Sequence, residues 1–166
     1  SAKQFSHLQL VERIEALLKN NHLPADLLQI EITESSLMID MDAAIDTLNE
    51  LRHHGIKIAV DDFGTGYSSL SYIRKLPVDY LKLDRSFIFD MAENSQAAAL
   101  IENIIQLAHV LKLEVIAEGV ETQAQYKLLS HMHCEQYQGY LFSRPIQADE
   151  ISLMVKSASP KAQANR

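Results

Sequence analysis

Apolar and polar positions along the chain change period repeatedly. Residues 6–19 place Leu10, Ile14, Leu17 and Leu18 on one face, the spacing of a helix, and Asn20, Asn21 and Pro24 end it. Over residues 28–33, Leu28, Ile30 and Ile32 alternate with Gln29, Glu31 and Thr33, which predicts a strand. Residues 36–54 are helical, closed by His53, His54 and Gly55. A strand at residues 56–62 leads into Gly64-Thr65-Gly66 and a short helix at 67–75, stopped before Pro77. Strands at 79–87, 113–118 and 135–142 then alternate with helices at 95–111 and 122–132. A helix at 147–156 closes one domain over residues 1–156, and residues 157–166 read as a polar, flexible tail.

Strands separated by helices read as right-handed βαβ units and a parallel sheet. Two α/β architectures compete. A doubly wound sheet carries a Gly-rich phosphate loop after its first strand. Here polar residues stand at strand ends instead: Glu31, Asp61, Lys82, Glu118 and Gln138 each come from a different strand, near its C-terminal end. Convergence of many strand ends on one face is how a (β/α)8 barrel builds a site. The expected fold class is therefore α/β, with parallel (β/α) units of a TIM-like barrel. Five strands in 166 residues fall short of the eight strands and roughly 200 or more residues of a closed barrel.

Composition narrows the chemistry. At 47% hydrophobic the chain supports a packed core. No apolar run approaches the ~18 residues of a membrane span, so no membrane contact is expected of this segment. The start of the chain lacks the basic and then apolar blocks of a secretory leader. Cys134 is the only cysteine, which excludes an internal disulfide and points to the cytoplasm. A net charge of −7 argues against a grip on duplex nucleic acid. It leaves room for a small anionic ligand held through a metal.

The strand-end residues read as a metal site. Asp61 and Asp62 are adjacent, and neighbouring strand residues point to opposite faces, so only one can point straight inward. The strand is expected to end there, with the Gly64 turn swinging the second carboxylate in. Lys82 and Asp84 alternate with Leu81 and Leu83, and Glu118 and Glu121 flank Gly119. Carboxylates crowded into one mouth repel each other and would raise their own pKa values, which a divalent cation resolves. All-oxygen ligands favour Mg²⁺ or Mn²⁺ over Zn²⁺. The seven histidines fall on helices or loops, away from strand ends. Hard metals held by carboxylates near a lysine suit phosphodiester hydrolysis. Taken singly, each residue has an ordinary explanation: a solvent-facing Glu31, turn chemistry at Asp61-Asp62, a snorkelling Lys82, a loop acid at Glu118. Cys134 reads as a small buried hydrophobe, and His53 and His54 as charge partners at a helix C-terminus. From spacing alone the reading stops at a metal-dependent α/β-barrel hydrolase or lyase.

The run DDFGTGYSSLSYIRKLPVDYLKLDRSFI at residues 61–88 is long and specific, and it resembles the EAL domain family of bacterial cyclic-di-GMP phosphodiesterases. EITES at 31–35, AEGVET at 117–122 and QGYLFSRP at 138–145 extend the resemblance over residues 1–155. It implies a (β/α)8 barrel with one reversed strand that hydrolyses cyclic-di-GMP to the linear dinucleotide with Mg²⁺ or Mn²⁺, as a pair of metals. It further implies that Glu31 and Asp61 ligate metal and that Asp62 serves the second ion. Glu118 would approach the metal pair as a base, and Lys82 would hold the attacking water or a phosphate oxygen. Gln138, Glu121, Asp84 and Arg144 would lie behind the ligands or on the substrate rim. Glu34 would anchor the loop from Asp62 to Tyr67.

The resemblance departs at the front. The family's namesake Glu-Ala-Leu, whose Glu binds metal, lies upstream, and an Asn ligand stands two positions before the Ser that matches Ser1. Glu15-Ala16-Leu17 sits on an amphipathic helix and reads as helix surface. The chain thus looks like the C-terminal five-eighths of an EAL domain, without three strands and two ligands, and inactive alone. Open sheet edges predict pairing with another chain, as in a homodimer. The alternative function is a cyclic-di-GMP receptor without catalysis, or an interaction module.

Overall fold

The computed structural model describes residues 10–37, 41–64 and 73–158, apart from the side chains of residues 34, 35 and 156–158. The start of the first expected helix, most of the helix at 67–75, the tail beyond 158 and the anchoring side chain of Glu34 lie outside the described residues. In chain order the elements are α1 (Leu10–Asn20), a 3-10 turn (Ala25–Leu27), β1 (Gln29–Thr33), α2 (Glu34–Leu37), α3 (Met41–His53) and β2 (Lys57–Phe63). Then come β3 (Tyr80–Leu83), α4 (Arg85–Ile88), α5 (Ser95–Val110), β4 (Glu114–Glu118), α6 (Gln123–His131), β5 (Gln136–Gln138) and α7 (Ala148–Ala158).

The five strands pair in parallel, in the order β1-β2-β3-β4-β5. Spatial order follows chain order without reversal, so right-handed crossovers carry the helices to one side of the sheet. A doubly wound sheet would reverse direction at a switch point. The barrel-like reading of the α/β pattern is the one that holds.

Alternation along each strand and register between strands sort the side chains into two faces. Ile32, Ile58, Val60, Leu81, Leu83, Val115 and Ala117 share one face. They form a buried cluster with Leu48 and Leu51 of α3, Ile101 and Ile105 of α5, and Leu129 of α6. Fully burying a side chain of this size contributes about 1.5–3 kcal/mol, so this interleaving of sheet and helices anchors the fold. Ala59 and Ile116 are buried yet stand outside that cluster. They share the opposite face with Glu31, Asp61, Lys82 and Glu118.

The N-terminal ends of the strands use one device twice. Asp79, just before β3, accepts the N–H of Ile58 in β2 (3.1 Å) and pairs with Arg52 from the last turn of α3 (3.1 Å). Glu135, just before β5, accepts the N–H of Val115 in β4 (2.8 Å) and bonds His109 from the last turn of α5 (2.8 Å). In each case a basic side chain from a helix end and an acid bracket a strand start, which fixes the register of the strand that carries the site residues.

Four expected boundaries are corrected. The strand at 79–87 ends at Leu83, because the Asp84 carboxylate accepts the Ser86 N–H (2.9 Å) and caps α4. The strand at 135–142 is reduced to Gln136–Gln138. There the Gly139 backbone lies so close to Val120 that a Cβ would strike the Val120 main chain, and the N–H of Leu141 turns back to the Val120 carbonyl. The strand expected to stop at Asp62 continues to Phe63 with one residue more than its partner: Val60 pairs with Leu81 and Phe63 with Leu83. The helix expected at 36–54 begins two residues earlier, at Glu34, and its described parts are α2 and α3.

Candidate functional site

Lys82 is one of two buried polar side chains among the described residues, 4% exposed. It stands within β3 on the sheet face opposite the buried apolar cluster. Its Nζ donates to Glu31 Oε2 of β1 (2.6 Å), Glu118 Oε1 of β4 (2.7 Å) and Asp61 Oδ1 of β2 (3.1 Å). An ammonium has three N–H donors, and all three are used. Burial alone pulls the Lys82 pKa down. Its hydrogen bonds to Glu118, Glu31 and Asp61 outweigh burial and hold it well above the usual lysine range. Lys82 is therefore a fixed positive charge, not a proton source, near neutral pH.

The extra residue in β2 answers the parity problem of two adjacent aspartates. Asp61 stays on the Lys82 face and also accepts the N–H of Asp62 (3.1 Å). Asp62 takes a left-handed conformation, φ +56°, and is exposed at the rim. That conformation costs an aspartate less than most residues, because its short side chain tolerates it. β4 delivers Glu118 in the same way: the strand ends on it, and Gly119 turns the chain at φ +70°. A Cβ at Gly119 would collide with the Cβ of Arg85 and come within 3.2 Å of its Cα, so only glycine lets the ends of β3 and β4 approach this closely.

The remaining expected residues stand apart from this core. Asp84 is turned into capping α4, and the bond from Ser86 is the main cause of its lowered pKa. Glu121 is exposed, and its backbone N–H goes to Gln125 Oε1 (2.9 Å). Gln138 is exposed, and its carbonyl accepts the Val120 N–H (3.0 Å). Arg144 is exposed and stacks on the Tyr140 ring, 4.7 Å from guanidinium carbon to centroid. Glu15 lies on the exposed flank of α1, as expected, and also pairs with His54 Nδ1 (2.6 Å). Cys134 is buried, and burial raises its thiol pKa to about 11. Sequence reasoning missed Gln125. Its only signal was the Thr122-x-x-Gln125 spacing of a capping box, which the structure realises.

Glu31, Asp61 and Glu118 carry −3 when ionised and Lys82 carries +1, leaving −2 on a patch of partly buried oxygens. That residue of charge, and the all-oxygen donor set, fit a hard divalent cation in chemistry. Among the described residues no three Asp, Glu, His or Cys side chains stand close enough together to grip one ion. The point on which three carboxylates converge is held by the ammonium.

A family model described as the EAL domain matches residues 1–145. The bifunctional diguanylate cyclase/cyclic di-GMP phosphodiesterase MucR of Pseudomonas aeruginosa is 44% identical over 152 residues, 91% of this chain but 22% of MucR. The chain therefore spans less than a quarter of that relative. The solved MucR phosphodiesterase in complex with c-di-GMP aligns at a TM-score of 0.84 and 43% identity, over 91% of this chain and 61% of that one. The EAL domain of Mycobacterium smegmatis DcpA aligns at 0.89 and 38% identity, over 96% of this chain and 72% of that one. Klebsiella pneumoniae BlrP1 in complex with manganese and c-di-GMP aligns at 0.79 and 32% identity, over 86% of this chain and 36% of that one. A sheet that presents Lys82 among carboxylates from three strand ends, and a family match across most of its length, identify the chain as a member of the EAL domain family.

Proposed function

We propose that this chain supplies the C-terminal part of the active site of a cyclic-di-GMP phosphodiesterase, which opens the cyclic dinucleotide to its linear form. The observation that carries this reading is the saturated Lys82 ammonium, held by Glu31, Asp61 and Glu118 at 2.6–3.1 Å. Glu31, Asp61, Asp62 and Glu118 would hold Mg²⁺ or Mn²⁺, as one or two ions. Such a cation lowers the pKa of bound water and neutralises charge on a phosphoryl group.

The chain's own residues account for the rest. Lys82 stays charged and, by giving up one of its three carboxylate bonds, would hold the attacking water or a phosphoryl oxygen. Glu118, a hydrogen bond away from Lys82, would take the water's proton. Arg144, exposed and stacked on the Tyr140 ring, would meet the second phosphate. Gln138, Glu121 and Asp84 would contribute to the rim behind these groups, and the anchoring role expected of Glu34 lies outside the described residues. The reaction is read as cytoplasmic, with the domain paired to a second copy through a sheet edge. No described helix is long and apolar enough to cross a membrane.

A second reading, binding of cyclic-di-GMP without hydrolysis, is favoured by the ammonium at the point where the carboxylates converge. Calorimetry with cyclic-di-GMP and Ca²⁺, followed by chromatography of products with Mn²⁺, separates the two. Binding without product supports the receptor; binding with product supports the enzyme.

A further inference from the structure

Gln125 is the other buried polar side chain among the described residues, 5% exposed. It stands in the first turn of α6, where glutamine ordinarily faces solvent. Its Oε1 accepts the N–H groups of Glu121 and Thr122 (both 2.9 Å). Its Nε2 donates to the carbonyls of Ile88 (3.0 Å) and Phe89 (3.3 Å) at the end of α4. Both lone pairs and both N–H groups of the amide are engaged. Rotating the amide by half a turn would set donors against donors, so the network itself fixes its orientation.

These bonds join two particular segments. Glu121 and Thr122 belong to the turn that leaves β4 directly after Glu118. Ile88 and Phe89 close the turn of helix that leaves β3 directly after Lys82 and Asp84. Gly119 packs against Arg85 between the same two segments. Above this joint, Lys82 Nζ meets Glu118 Oε1 at 2.7 Å. We propose that Gln125 is a positioning residue: by tying the β4 exit to α4, it sets Glu118 at its distance from Lys82. The effect on turnover rests on the phosphodiesterase reading above; the effect on geometry does not.

The test uses the intact protein with Gln125→Met, which keeps the size and removes all four side-chain bonds. Thr122→Ala is the control, since it removes the helix cap but leaves the Gln125 amide in place. Three quantities are read: Tm, kcat and KM for cyclic-di-GMP with Mn²⁺, and the ¹H–¹⁵N signal of the Lys82 ammonium, assigned by its loss in Lys82→Arg. Gln125→Met is expected to lower kcat about tenfold or more with KM within about twofold, and to broaden the Lys82 signal. Thr122→Ala is expected to lower Tm while kcat and the signal hold. Equal losses of Tm in both variants, with kcat and the Lys82 signal unchanged in both, overturn the proposal. If Gln125→Met does not fold, Gln125→Glu, which keeps the two accepting contacts and loses the two donating ones, decides by the same readouts. A wild-type protein that shows the Lys82 signal but makes no product contradicts the phosphodiesterase reading, while the signal in the variants still decides the role of Gln125.

Discussion

Lys82 Nζ lies 2.7 Å from Glu118 Oε1, across adjacent strands β3 and β4. The pair is not opposed in register: Lys82 pairs with Ile116, and Glu118 stands two residues further on, over the same face. The lysine's length lets it lean toward the strand ends, where Asp61 and Glu31 meet it. A short strand residue at position 82 would leave the carboxylates facing one another.

Removing the ammonium should therefore be costly in proportion to its burial. Lys82→Met is expected to lower stability by about 2 kcal/mol, below the range for a wholly buried pair because Glu31 is 44% exposed. The sign of the pH dependence follows from the raised pKa. The contribution is fully present below the unfolded lysine value of about 10.4 and is lost as pH rises through the higher folded value. Urea denaturation of wild type and Lys82→Met at several pH values checks this. The difference should be constant from about pH 7 to 9 and shrink above about 10.4.

Gly119→Ala should be worse than its size implies. The added methyl meets Arg85, and φ +70° is unfavourable for alanine. A loss of about 1–3 kcal/mol is expected, with a larger relative loss of turnover, because Glu118 is the next residue. Chemical denaturation and initial rates on the same preparation separate the two effects.

Asp79→Ala and Glu135→Ala test the paired device at the other end of the sheet. Each leaves a strand-initial N–H, of Ile58 or Val115, without its acceptor. Each should cost about 1–3 kcal/mol without altering KM for cyclic-di-GMP. Denaturant midpoints with unchanged m-values are the readout.

Cys134 should be inert in the folded chain. Its thiol is buried, donates to the carbonyls of Val115 (3.5 Å) and Gln136 (3.4 Å), and has a pKa raised to about 11 by burial. Labelling with an aromatic disulfide at pH 8 should proceed only at the rate of opening, and addition of urea should accelerate it. Because the folded thiol keeps its proton above the unfolded value of about 8.5, this group alone makes stability fall between about pH 8.5 and 11.

Much of this arrangement was legible in the sequence, because one period signals one environment. Alternation over residues 28–33 and 113–118 gave β1 and β4 nearly to the residue, and polar residues at strand ends named Glu31, Asp61, Lys82 and Glu118. What alternation cannot report is pairing. The extra residue at Asp61-Asp62 exists only relative to β3, so no local pattern announces it. Asp84 continues the alternation of Lys82, yet its bond to Ser86 N–H outcompetes a further ladder bond and turns it into a cap. The strand at 135–142 looked longer than it is because the close approach of Gly139 to Val120 is a tertiary fact. No local pattern marks Gln125 either: its burial comes from α4, distant in sequence.

The central claim is that Lys82, Glu31, Asp61 and Glu118 form the working centre of a cyclic-di-GMP phosphodiesterase. The most direct measurement is chromatography of cyclic-di-GMP incubated with Mn²⁺ and the intact protein, wild type beside Glu118→Gln. The account predicts linear dinucleotide from the wild type and a loss of about 10²-fold or more in the variant, with cyclic-di-GMP still bound. Equal product from both, or no product from a wild type that binds the cyclic dinucleotide, would contradict it.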